Sequence, residues 1–185
     1  MADLSQIFVL EITSTSLDYL CEMTQVLRFR STWGISPGPN FEDWKAWFPT
    51  FKELGYFGVE VEIAGLQDLH LLRQLCDLVG FEISVLIHTA WPRYLGPRPD
   101  GLKPDDHLRI YKEQLQLAKS LRAYKVNAQS GCDAWSLEEC VAFYRGTLDI
   151  DIEMGLAGKV CHETHRNRCM FNPYKAREIL YHVPE

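Results

Sequence analysis

The chain has 185 residues, of which 46% are hydrophobic and 24% charged, and its formal net charge is −6. This length supports one sizeable hydrophobic core, and the composition is ordinary for a globular protein. The acidic balance argues against a nucleic-acid partner, because phosphate binding needs a basic surface.

Five β-type runs recur along the chain, and most of them precede a helical pattern. The predicted strands are 27–34, 57–63, 82–89, 124–130 and 159–164. The predicted helices are 41–54, 67–79, 104–121, 136–154 and 173–182. Gly80 suits the position after a helix C-terminus, and Ser136 with Glu139 forms a capping-box pattern. Strands that alternate with helices predict right-handed crossovers and a parallel sheet.

Residues 1–26 precede these units and form an N-terminal extension to a predicted domain that spans 27–185. Their pattern fits a short strand at 8–12 and a helix at 17–26. The alternative is an appended segment with no role in the domain.

The alternation inside the strands predicts a barrel rather than an open sheet. In the second run, Val59, Val61 and Ile63 share one face, and Glu60 and Glu62 share the other. The later runs also have one apolar face and one face that turns polar near the C-terminal end, where TIM barrels carry their active sites. A complete barrel needs eight units and about 250 residues. We therefore predict a partial (β/α)8 TIM barrel of about five units with parallel strands, truncated after the fifth.

The six cysteines lie at positions 21, 76, 132, 140, 161 and 169, and no two of them form a Cys-x-x-Cys pair. The N-terminus lacks the apolar core of a secretory signal, and no stretch approaches the roughly 20 apolar residues of a transmembrane helix. We therefore expect reduced thiols in a cytoplasmic protein without a membrane partner.

The fifth run carries the best chemical signature, His-Glu-Thr-His-Arg at 162–166. Glu163 and His165 are two residues apart, so on an extended strand both point into the barrel, and Arg166 follows at the rim. A carboxylate beside an imidazole can bind a divalent metal or move a proton. The alternative is a structural cluster of buried polar side chains whose hydrogen bonds are made by neighbouring residues.

Polar side chains also end the earlier runs. Inward amides at Asn127 and Gln129 can orient the hydroxyl groups of a sugar, although this segment can also be a plain turn and cap. His88 is either a substrate ligand or a catalytic base, or a structural histidine at the barrel rim whose hydrogen bonds are made by neighbouring protein groups. Glu60 and Glu62 are costly to bury unless they are protonated or bound to a cation. We therefore expect at least one of the two carboxylates to contact a group that compensates its charge.

Five motifs in chain order carry a family resemblance. They are Phe29-Arg-Ser-Thr-Trp-Gly34, Gly58-Val-Glu-Val-Glu62, Ile87-His-Thr89, Asn127-Ala-Gln-Ser-Gly-Cys-Asp-Ala-Trp-Ser136, and His162-Glu-Thr-His-Arg-Asn-Arg168 with Phe171-Asn-Pro173. From about residue 27 to its end, the chain resembles the sugar phosphate isomerase/epimerase family of xylose isomerase-like TIM barrels.

The resemblance implies a divalent metal ion (Mn, Mg, Co or Zn) at the top of the barrel, held by side chains from strands five to eight. Glu163 matches the strand-five ligand. Glu62 and His88 match positions near the substrate, and Arg166 matches a contact for an anionic or hydroxylated substrate. The ligands of strands six to eight have no counterpart here, so the resemblance implies that this chain coordinates the metal incompletely.

The leading hypothesis is a metal-dependent isomerase or epimerase of a sugar, sugar phosphate or polyol. Carboxylates would move a proton next to a carbonyl, with Glu163 and Glu62 as catalytic candidates, and the metal would stabilise the enediolate oxygen. The side chains expected to line the substrate site are His88, Asn127, Gln129, His165 and Arg166.

Two alternatives stay open. The chain could be a noncatalytic barrel fragment that lacks the later metal ligands; its first and fifth strands would then be open edges, covered by a second copy or a partner. It could also be an apurinic-site endonuclease, but that activity needs a histidine-rich zinc cluster and a basic DNA face, which six histidines and a charge of −6 disfavour.

Overall fold

The fold is known from a computed structural model, which describes residues 6–10, 26–33, 41–92 and 95–183. The strands are β1 (Gln6–Leu10), β2 (Val26–Ser31), β3 (Gly58–Glu62), β4 (Glu82–His88), β5 (Lys125–Gln129) and β6 (Val160–His162). The helices are α1 (Phe41–Glu53), α2 (Leu69–Val79), α3 (Pro104–Ser120), α4 (Leu137–Met154) and α5 (Pro173–His182). The predicted helix at 17–26 lies almost entirely outside the described residues.

The strands form one sheet in the order β1-β2-β3-β4-β5-β6. Strands β2 to β6 are parallel, alternate with helices and curl into a half-barrel. The predicted partial barrel of parallel strands is therefore confirmed.

The short strand that the pattern at 8–12 fits is present as β1, but its pairing with β2 was not predicted. It pairs antiparallel with β2, from Gln6 opposite Arg30 to Leu10 opposite Val26. The expectation that the first barrel strand is an open edge is therefore wrong, because β1 occupies the hydrogen-bonding side of β2 that faces away from β3.

The outer face of the half-barrel packs on the helices, as the alternation predicted. Its apolar strand residues join helix side chains in a single core. Strand members of that core include Val59, Val61, Ile63, Ile83, Val85, Ile87, Val126 and Ala128. Helix members include Trp44, Phe48, Leu72, Cys76, Tyr111 and Leu115. Burying a large apolar side chain contributes about 1.5–3 kcal/mol to the free energy of folding. The apolar residues therefore face the helices, and the alternate polar residues of each strand face the interior of the half-barrel.

Local signals place the helix ends. Gly80 follows α2 in the left-handed conformation (φ 71°), as expected of a residue after a helix C-terminus. Ser136 and Glu139 form the predicted capping box at the start of α4, because each accepts a hydrogen bond from the other's backbone N–H, at 3.2 and 3.0 Å. Within the described ranges, the helices are too short or too polar to cross a lipid bilayer.

Candidate functional site

The polar side chains that the sequence predicted to point inward lie at matched heights on neighbouring strands. Glu62 is level with Leu86, which in turn is level with Asn127, and His88 is level with Gln129. The ladder continues past β6, because the N–H of Glu163 donates to the carbonyl of Ala128 at 3.0 Å. This parallel register gathers amides and acids at the C-terminal end of the half-barrel.

Glu163 is held by the amides of β5. Asn127 Nδ2 and Gln129 Nε2 both donate to its Oε2, at 3.0 and 3.2 Å. Two donors from one strand fix the carboxylate of the next, so these three side chains form a preorganised unit.

Glu60 joins the same unit from β3, although sequence reasoning assigned it no site role. Only 5% of the residue is exposed, and burial followed by the nearby charge of Glu163 raises its pKa to about 7. Hydrogen bonds from Asn127 and Ser31 oppose that rise in pKa. Among the described residues its Oε2 is buried without a hydrogen-bond partner. Glu60 is therefore a buried acid with an oxygen that can accept a proton, a cation or a ligand donor.

Glu62 and His88 form a second contact on the same face. His88 Nδ1 lies 3.5 Å from Glu62 Oε1, and both side chains are largely buried. The backbone N–H of His88 donates to Gln114 Oε1 at 3.1 Å, which fixes the end of β4 against α3. An imidazole beside a carboxylate is an arrangement that can take up and release a proton.

His165 and Arg166 lie beyond the strand rather than on it. Strand β6 ends at His162, and His165 starts a turn in which its N–H donates to the carbonyl of Met170 at 3.1 Å. His165 Nδ1 lies 2.9 Å from the carbonyl of Arg166, and Arg166 is exposed. The strand alternation that predicted an inward His165 therefore does not apply to it, because the residue lies beyond the end of β6. The site roles of His165 and Arg166 stay predictions.

Comparisons with known proteins bear on the fold and leave the site open. No protein-family model and no curated protein matches the chain. Among solved structures, it resembles an AP endonuclease of family 2 from Brucella melitensis with a TM-score of 0.56 and 17% identity, over 84% of this chain and 64% of that one. An HMG-CoA lyase from the same organism gives a TM-score of 0.46 and 14% identity, over 77% and 50%.

The similarity to the AP endonuclease supports the barrel-type fold alone, because the sequence identity is low. The chain spans less than two thirds of the length of either neighbour. The resemblance to the sugar phosphate isomerase/epimerase family therefore stays a prediction.

A buried network that the sequence did not reveal supports the rim of the site. Thr89 Oγ1 lies 2.8 Å from His107 Nδ1 and accepts the N–H of Gly131 at 2.9 Å. The buried Arg168 donates to the carbonyl of Ala90 at 2.8 Å. Burial, and then the charge of Arg168, lower the pKa of His107 to about 4. This network ties together the segments that follow β4, β5 and β6, so it fixes their side chains relative to one another.

His162, the first residue of the signature, has a structural role on the outer face. Its Nδ1 lies 2.8 Å from Ser130 Oγ, and its ring packs against Tyr111 and Tyr144. Burial lowers the pKa of His162 to about 4, so the ring is neutral at neutral pH.

The donor atoms of the inner face suit a hard divalent cation. Glu60 and Glu163 supply carboxylate oxygens, and Asn127 and Gln129 can supply amide oxygens, a set typical of Mg²⁺ and Mn²⁺. The described residues contain no group of three or more His, Cys, Asp or Glu side chains arranged as metal ligands. These residues therefore do not show a metal site, and the two carboxylates with the two amides supply at most part of one.

Proposed function

We propose that this protein is a metal-dependent isomerase or epimerase of a sugar, sugar phosphate or polyol, which moves a proton next to a carbonyl group. The observation that carries the proposal is the partly buried, hydrogen-bonded cluster of Glu60, Asn127, Gln129 and Glu163 at the C-terminal end of the strands. Such chemistry needs fixed carboxylates and hydrogen-bond donors in a polar pocket, and these side chains supply both.

The proposal gives roles to the side chains of the inner face other than Glu60. Glu163 is a metal ligand and a catalytic carboxylate, held by Asn127 and Gln129, whose amides also orient substrate hydroxyl groups. The bound divalent ion, Mn²⁺, Mg²⁺, Co²⁺ or Zn²⁺, supplies Lewis-acid stabilisation of a developing oxyanion.

Proton transfer falls to the second contact on the inner face. Glu62 is the catalytic base, and the imidazole of His88, 3.5 Å away, orients it and contacts the substrate. His165 and Arg166 contact the far end of the substrate from the rim.

Hydrogen exchange tests this proposal even when the product is unknown. The protein is incubated in D2O with Mn²⁺ and a panel of ketoses, aldoses and their phosphates, and NMR follows deuterium entry at the carbon next to the carbonyl. We expect exchange with at least one sugar, and its loss in Glu62→Gln and Glu163→Gln. The control Glu53→Gln removes an exposed carboxylate and should exchange like the wild type.

Three results would contradict the proposal. Absence of exchange across the panel, in protein that is folded and carries metal, would favour the noncatalytic alternative. Equal exchange in the wild type and in Glu163→Gln would remove the candidate site from the reaction. Cleavage of abasic-site DNA by the same preparation, lost in Glu163→Gln, would favour the endonuclease alternative instead.

A further inference from the structure

Three cysteines converge on the outer side of the rim, away from the acid–amide cluster. Cys132 follows β5, Cys140 lies in α4, and Cys169 precedes α5. Cys169 Sγ donates to the carbonyl of Cys132 at 3.5 Å, and the thiols of Cys140 and Cys169 are hydrogen-bonded to each other. All three are free thiols. The cluster could not be predicted from the sequence, because the three positions are not arranged as a Cys-x-x-Cys motif.

The three cysteines differ in their access to solvent. Cys169 and Cys140 are buried, with 0% and 1% of each residue exposed. Cys132 is partly exposed and lines a cleft of about 400 Å³ between the segment 98–103 and the loop after β5. A small solute can therefore reach Cys132, whereas Cys169 and Cys140 lie behind it.

The sulfur of Cys132 has a polar environment built by Arg98. Arg98 Nη2 donates to Cys132 Sγ at 2.9 Å, and the same nitrogen forms an ion pair with Asp133. The ion pair fixes the guanidinium against the sulfur. A positive group beside a partly exposed thiol is the environment in which reactive cysteines are found.

We propose that Cys132 is a peroxide-reactive thiol and that Cys169 resolves its oxidised form into a disulfide. In the first step the sulfur of Cys132 attacks one oxygen of hydrogen peroxide, the O–O bond breaks, and the thiol becomes a sulfenic acid with release of water. In the second step the sulfur of Cys169 attacks the sulfenic sulfur. The S–O bond breaks, and the departing hydroxide takes the Cys169 proton to form a second water.

Cys169 is the resolving partner because its sulfur already lies at the backbone of Cys132, 3.5 Å from the carbonyl oxygen. Its hydrogen bond to Cys140, and then burial, raise the pKa of the Cys169 thiol, so its proton leaves with the departing hydroxide as the S–S bond forms. The new disulfide joins the segments that follow β5 and β6. This inference does not depend on the proposed function.

Cys161 on β6 is exposed, so it serves as the internal comparison for oxidation by exposure alone. The reduced protein is treated with hydrogen peroxide for increasing times, free thiols are alkylated, and mass spectrometry maps each cysteine without reduction. We expect Cys132 to be consumed first and a Cys132–Cys169 disulfide to accumulate within the chain. In Cys169→Ser, a dimedone probe should trap the sulfenic acid on Cys132.

Variants distinguish the effect of Arg98 on the oxidation rate of Cys132 from the effect of solvent exposure alone. Arg98→Gln should slow consumption of Cys132 several-fold, because the Asp133 carboxylate, 3.9 Å from the sulfur, then stays without its cation. Arg98→Lys should restore part of the rate, and Cys161→Ser should leave it unchanged. Oxidation of Cys161 before Cys132, or a Cys140–Cys169 disulfide formed with Cys132 still reduced, would overturn the proposal.

Discussion

Glu60 is the residue whose surroundings most affect the energetics of the site. Burial and the neighbouring Glu163 raise its pKa from 4.5 to about 7, so protonation of this carboxyl favours the folded protein. The stabilisation is complete below the unfolded pKa of 4.5 and is lost as the pH rises through about 7. Above that pH, the folded protein bears the cost of a buried carboxylate.

Replacing Glu60 by Gln should remove that cost, because glutamine resembles the protonated acid in shape. In a chelating buffer, we expect Glu60→Gln to raise the free energy of unfolding at pH 8 by up to about 3 kcal/mol, from about 1.4 kcal/mol per pKa unit. At pH 4 the gain should vanish. Urea unfolding at both pH values measures it, with exposed Glu53→Gln as control. A loss of stability at pH 8, or an equal gain at both, would contradict this account of Glu60.

For single residues, the sequence predicted correctly which strand face carries the polar side chains, but it did not predict all the contacts between them. Alternation within β3 and β5 was enough to place Glu62, Asn127 and Gln129 inward. The link from Glu60 to Glu163 could not be predicted, because it depends on how β3, β5 and β6 are aligned in the sheet. The inward direction predicted for His165 does not follow from alternation, because β6 ends at His162 and His165 lies in the turn beyond it.

At the scale of elements, the close approach of β3 to β4 depends on one glycine. A Cβ added at Gly58 would lie 2.1 Å from the backbone oxygen of Glu82 and 2.8 Å from the ring of Phe29. The glycine therefore lets β2, β3 and β4 meet at the N-terminal end of the half-barrel, opposite the site.

Gly58→Ala should separate β3 from β4 and cost about 3 kcal/mol of unfolding free energy, since backbone cannot yield as a side chain can. The matched control is Gly65→Ala, where a Cβ meets open space and only the positive φ of 80° is strained, at about 1–2 kcal/mol. Urea unfolding of both variants measures the difference. If Gly58→Ala proves no more destabilising than Gly65→Ala, the proposed close packing is wrong.

Helix and strand positions from residue 27 onward followed from local signals such as the Ser136–Glu139 capping box and Gly80. The antiparallel pairing of β1 did not, because the strand pattern near residue 8 does not indicate which strand it joins or in which direction. The early end of β6 also escaped prediction, since the turn at 165–170 is set by contacts with Met170 and Ser130.

At the scale of the molecule, the half-barrel has one face for packing and one for chemistry. In the described part of the sheet, β1 and β6 each have a neighbouring strand on one side only. The expectation that a second copy or a partner covers an open edge therefore concerns β1 and β6, and it stays a prediction. The inner face has its acids and amides on β3, β5 and the end of β6, which is where a cation would have to bind.

Binding of Mn²⁺ tests that arrangement most directly. Electron paramagnetic resonance counts the free ion as Mn²⁺ is titrated into the wild type, Glu163→Gln and the exposed control Glu53→Gln. We predict one bound Mn²⁺ per chain in the wild type and in Glu53→Gln, and loss of that binding in Glu163→Gln. Absence of Mn²⁺ binding by the wild type, or equal binding by Glu163→Gln, would contradict a metal centre at the end of the half-barrel.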